Sequence, residues 1–121
     1  MEKGSILAAF MVPHPPMIVP EIGRGSEKQI AETTAAYVRA AEEIARLTPD
    51  TIIITSPHIV MYTDYFHIPP GAEAYGSFRE FRAPGVRFSE MYDTEIRDIL
   101  CRLAKERDFH LSLILLYLQI Q

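Results

Sequence analysis

Two short apolar runs, SILAAFMV at residues 5–12 and TIIIT at residues 51–55, flank one long helical pattern, and that order limits the fold more than any other feature. The first run is halted by Pro13, too early for a helix of ordinary length, and the second is β-branched throughout. Both read as strands buried on two faces. Between them, SEKQ at residues 26–29 has the form of a capping box, with Ser26 placed to cap and Gln29 placed to reach back. Ile30, Tyr37, Ile44 and Leu47, with Ala41 between, then repeat at helical spacing until Pro49 ends the pattern. Strand, helix and strand with short connections predict a βαβ unit, whose right-handed crossover sets the two strands parallel in one sheet.

A parallel arrangement has a chemical consequence. Both strands end on the same rim, and open α/β sheets bind ligands in the crevice beyond those carboxyl ends. His14 follows the first run within MVPHPPMIVPEIG, and His58 closes SPH after the second. Each is preceded by a proline, and a ligand held on a restricted backbone loses less entropy on binding than one on a loose loop. The pair is a candidate for divalent-metal ligation. Taken singly, either histidine is more often a hydrogen-bonded loop residue than a ligand. His67 and His110 have no comparable positional argument and read as structural.

With 121 residues and 48% apolar side chains the chain predicts one globular domain. Twelve basic against sixteen acidic residues give a net charge of −4 with no basic cluster, which argues against a nucleic-acid partner. Cys101, between Leu100 and Leu103 in a helical pattern, reads as a small packed hydrophobe. Its solitary thiol suits a reducing, cytoplasmic setting. No run reaches the length of a membrane span, and the N-terminal run lacks the form of a secretion signal.

PHPPMIVPEIG together with PDTIIITSPH resembles the N-terminal part of the class III extradiol ring-cleavage dioxygenase superfamily, the LigB-like proteins, which include the Memo-like proteins. The form VPHPPMIVPEIGRG looks closest to the LigB-like domain of the AmmeMemoRadiSam system proteins. MYTDYFHI, GSFREFRAPGVRFSEMYD and the following helical pattern extend the likeness from about Ile6 to Phe109. The resemblance implies a three-layer αβα fold with a mainly parallel sheet. It also implies a non-haem Fe(II) ion held by two histidines and a carboxylate, with one face open. By motif, His14 and His58 match the two histidine ligands, and Pro13, Pro15, Pro16 and Pro57 match their scaffold. In the ring-cleaving members a catechol-type substrate chelates the iron and dioxygen takes a neighbouring site. The ring then opens beside the diol, with a further histidine moving protons.

The family's carboxylate ligand and its later histidine motif have no counterpart in this sequence, so residues 1–121 are expected to be a single LigB-like domain truncated at its C-terminus and incomplete as an enzyme. His110 lacks the flanking Asp and Gly of that motif. Glu21 is better placed at a helix entry, where the macrodipole favours an acid, and Asp64 could equally be a turn residue. Fe(II) is the expected metal, with Zn(II) or none as the alternatives. GRGS at residues 23–26 could expose backbone N–H groups to an anion, although most such segments only turn the chain. Farther on, Phe78, Phe81 and Phe88 lie in a loop-rich excursion as either a sheet cover or a substrate wall, and Asp93 or Thr94 starts a second helix with Ile96, Ile99, Leu100 and Leu103 as its apolar stripe. Three functions are open: an extradiol-type oxygenase, a Memo-like protein acting through protein partners, and a non-catalytic fragment.

The tail, HLSLILLYLQIQ, reads as a third buried-type strand with no lysine or proline to discourage edge pairing. A homo-oligomer is therefore expected. Solution mass over a dilution series should exceed that of a monomer, and Leu113→Lys should lower it.

Overall fold

The structure, a computed structural model, describes residues 3–56 and 67–108. Its elements are helix α1 (Pro20–Gly23), helix α2 (Ala31–Leu47), strand β1 (Glu73–Phe78), strand β2 (Ala83–Met91) and helix α3 (Thr94–Glu106), with 3-10 turns at Pro16–Ile18, Ser26–Ile30 and Arg79–Phe81. The chain divides into two compact units. Among the described residues, one runs to Ile52 and includes Phe78–Pro84; the other holds residues 53–56, 67–77 and 85–108. His58, Asp64, His110 and the expected tail strand lie outside the described residues.

In the first unit the long helix forms where its pattern predicts, but it begins differently. Ser26 makes no capping bond; a 3-10 turn occupies Ser26–Ile30, and α2 starts at Ala31. The acid that reaches back is Glu27, whose Oε2 accepts from the Gly25 N–H at 2.7 Å. Along α2 the half-buried positions are Thr33, Thr34, Tyr37, Ala40, Glu43, Ile44 and Leu47, a stripe at the helical period in which Ala40, not Ala41, is the small residue. Thr48 closes the helix in the left-handed conformation, its N–H bonded to the Ala45 carbonyl, ahead of Pro49. On its surface Arg46 pairs with Glu43 at 3.0 Å and, chiefly through that hydrogen bond, holds the Glu43 carboxyl below its ordinary value.

The expected parallel sheet is not what the described residues form. Residues 5–12 and 51–55 pair with no strand among them, and the sheet present is the antiparallel two-stranded hairpin of β1 and β2. A buried strand needs a partner along its edge and cover on its faces, and these runs lack the cover: Ile6 is 92%, Met11 100% and Ile53 59% exposed. The result is a mixed α/β chain.

In the second unit the hairpin body and α3 are held by a few polar bonds. Alternation along β1 buries Ala74, and Ile68 and Pro69 just upstream are buried as well. The Tyr92 N–H donates to the Ala72 carbonyl at 2.9 Å, and the Arg97 guanidinium on α3 donates to the carbonyl of Gly71, which has a φ of 101° that suits glycine. The Asp93 side chain accepts from the Ile96 N–H at 3.0 Å, so the expected cap of α3 is present. Ala104 is the buried residue of this helix, Cys101 is half-buried and free, and Leu103 is 39% exposed. Removing that cap by Asp93→Ala should lower stability by about 1 kcal/mol, read as a shift of the urea midpoint with an unchanged slope.

Candidate functional site

The segment around His14 is built from proline-started turns. Pro15 precedes the 3-10 turn and Pro16 opens it, a position where a missing N–H costs nothing. Pro20 opens α1 in the same way. The carbonyls left behind are used in series: Ile18 N–H bonds Pro15 at 3.0 Å, Val19 N–H bonds Pro16 at 3.2 Å, Gly23 N–H bonds Val19 at 2.8 Å and Arg24 N–H bonds Pro20 at 2.8 Å. Four prolines and one histidine therefore make an ordered turn series, which is what a ligand-bearing loop requires. His14 itself is exposed.

Gly23 closes this series. It is buried, and a Cβ built on it would run into the Met17 carbonyl oxygen and stand 2.6 Å from Glu27 Oε2. Only a residue without a side chain lets the turn after the prolines pass this close to the following one. Arg24 and Gly25 next adopt left-handed backbone, with φ of 49° and 101°. The GRGS stretch is thus a reversal, and the Gly25 N–H that an anion would need already binds the Glu27 carboxylate.

Tyr37 on α2 ties the segment to the helix. Its hydroxyl donates to the carbonyl of Pro13, the residue immediately before His14. Burial pushes the Tyr37 phenol above its ordinary value, further into the range where it is a protonated donor. The sequence pattern shows Tyr37 only as a member of an apolar stripe; the available signal is that a tyrosine on a packed face carries a polar tip in need of a partner.

Of the other candidates, Glu21 sits in the first turn of α1, the helix-entry role its position suggests. His67 is half-buried beside Ile68 and Pro69. Phe78 is buried, and its ring lies 6.1 Å from that of Phe81 at a tilt of 58°, an edge-on aromatic pair at the hairpin tip. Among the described residues no three His, Cys, Asp or Glu side chains gather closely enough to hold a metal ion. His14 supplies one donor of a kind that suits a divalent transition metal, an exposed imidazole on a bonded backbone. Among the described residues no helix is long and apolar enough to cross a membrane.

Residues 8–119 match the family described as the catalytic LigB subunit of aromatic ring-opening dioxygenase, and the chain belongs to this family. It is also 41% identical over 100 residues to Protein CA_C1420 of Clostridium acetobutylicum, a protein whose name states no activity. That likeness covers 83% of this chain and 21% of the relative, so the chain spans about a fifth of the relative's length. No solved structure matches.

The close approach at Gly23 yields a direct test. Gly23→Ala should destabilise the chain by about 1–3 kcal/mol, the usual cost of forcing extra atoms into a packed position, and should speed amide exchange at Ile18 and Val19 more than in α3. Unchanged exchange in the turn series would show that it does not depend on Gly23.

Proposed function

We propose that this chain is a metal-binding portion of a non-haem Fe(II) extradiol-type dioxygenase, with His14 and His58 as the two imidazole ligands and a catechol-type molecule as substrate. The observation that carries the reading is a family match spanning both histidine motifs, joined to the fixed backbone around His14. Pro13 and Pro15 restrict the histidine from both sides, so its imidazole is presented with little ordering cost. Fe(II), when bound, supplies open coordination positions at which diol and dioxygen can meet. In this reading the domain is a three-layer αβα structure with a mainly parallel sheet, and the exposed apolar runs at 5–12 and 51–55 are the segments such a sheet would bury. A cytoplasmic homo-oligomer and a kinship with the AmmeMemoRadiSam system proteins belong to the same proposal.

The second reading is a Memo-like non-catalytic or metal-binding protein acting through protein partners. Metal affinity tests the shared histidine site of the first. Titrating Fe(II) anaerobically, or Zn(II), into the chain should give saturable binding that weakens at least tenfold in both His14→Ala and His58→Ala. Binding unaltered by either substitution would overturn the shared site and favour the partner-based reading.

A further inference from the structure

We infer that Tyr37 is the positioning residue for His14: by donating to the Pro13 carbonyl it sets the peptide plane from which the histidine departs. The inference rests on the proposed role of His14 as a metal ligand, and its geometric half stands on the structure alone.

The peptide joining Pro13 to His14 is planar, so fixing the direction of its carbonyl fixes the direction of the His14 N–H and the start of its φ rotation. On the other side Pro15 disfavours helical backbone at His14 and leaves an extended conformation. One constraint comes from the chain itself and the other from a helix 24 residues away in sequence. With only the proline, the segment could pivot as a body about its junction with residues 5–12. The phenol removes that freedom by anchoring the pivot to α2, a helix of 17 residues. The Tyr37 hydroxyl acts on the Pro13 carbonyl, so its effect on a ligand would pass through the orientation of His14. Groups that orient metal ligands in this indirect way typically change affinity by about 10–100-fold when lost.

The closing experiment uses the full chain with Co(II) as the probe, in four forms: unaltered, Tyr37→Phe, His14→Ala and Thr34→Val. Thr34 lies one turn before Tyr37 on α2 and donates to the Ile30 carbonyl at 3.2 Å, so Thr34→Val removes a hydroxyl bond from the same helix without touching the Pro13 carbonyl. Tyr37→Phe keeps the ring and deletes the donor. It should speed amide exchange at Ile18 and Val19 about tenfold, weaken Co(II) binding about tenfold, and alter the visible Co(II) bands, whereas Thr34→Val should leave all three unchanged. If His14→Ala abolishes Co(II) binding and Tyr37→Phe does not weaken it, the positioning role is overturned while the metal reading survives. If His14→Ala leaves Co(II) binding unchanged, the metal reading fails and this inference fails with it. Unchanged exchange at Ile18 and Val19 in Tyr37→Phe overturns the geometric half whatever the metal does.

Discussion

The close passage at Gly23 is the constraint on which the organisation of the first unit depends. Four prolines remove backbone donors and restrict φ between residues 13 and 20, so the chain cannot enter a long helix there and must turn in short steps. Those steps end where the Gly23 backbone meets the Met17 carbonyl and the Glu27 side chain, a space that no Cβ could share. The left-handed residues Arg24 and Gly25 then reverse the chain, and α2 follows after one 3-10 turn. Because the reversal is tight, Tyr37 on that helix can reach back to Pro13. The position of His14 is thus bounded by prolines, a glycine and a phenol, each for a different physical reason.

The second unit is organised by a few polar bonds around a hairpin. Arg97 on α3 bonds the Gly71 carbonyl, and the Tyr92 N–H bonds the Ala72 carbonyl. Glycine at position 71 accepts the positive φ that brings its carbonyl to the guanidinium. These bonds satisfy backbone groups at the open end of the strand pair, where a two-stranded ribbon would otherwise fray. The buried residues that accompany them are few and small, with Ile68 the largest in this unit among the described residues. Several side chains of the apolar runs at 5–12 and 51–55 remain exposed, Ile6 at 92% and Ile53 at 59% among them.

What the sequence determined by itself was local. Helical spacing showed α2 and α3, the Asp93–Thr94 pair marked the start of α3, and the paired histidine motifs carried the family. These features depend on residues within a few positions of one another, which is why they are legible without a structure. The start of α2 was less so, because a 3-10 turn takes the place of the first helical turn and the Glu27 carboxylate accepts from the Gly25 N–H upstream while Ser26 makes no cap bond. The tertiary structure alone decided that residues 5–12 and 51–55 pair with no strand among the described residues, that the sheet is an antiparallel hairpin, and that Tyr37 meets Pro13. Strand pairing and long-range bonds depend on which distant segments meet, and an apolar run has the same composition whether or not a partner lies beside it.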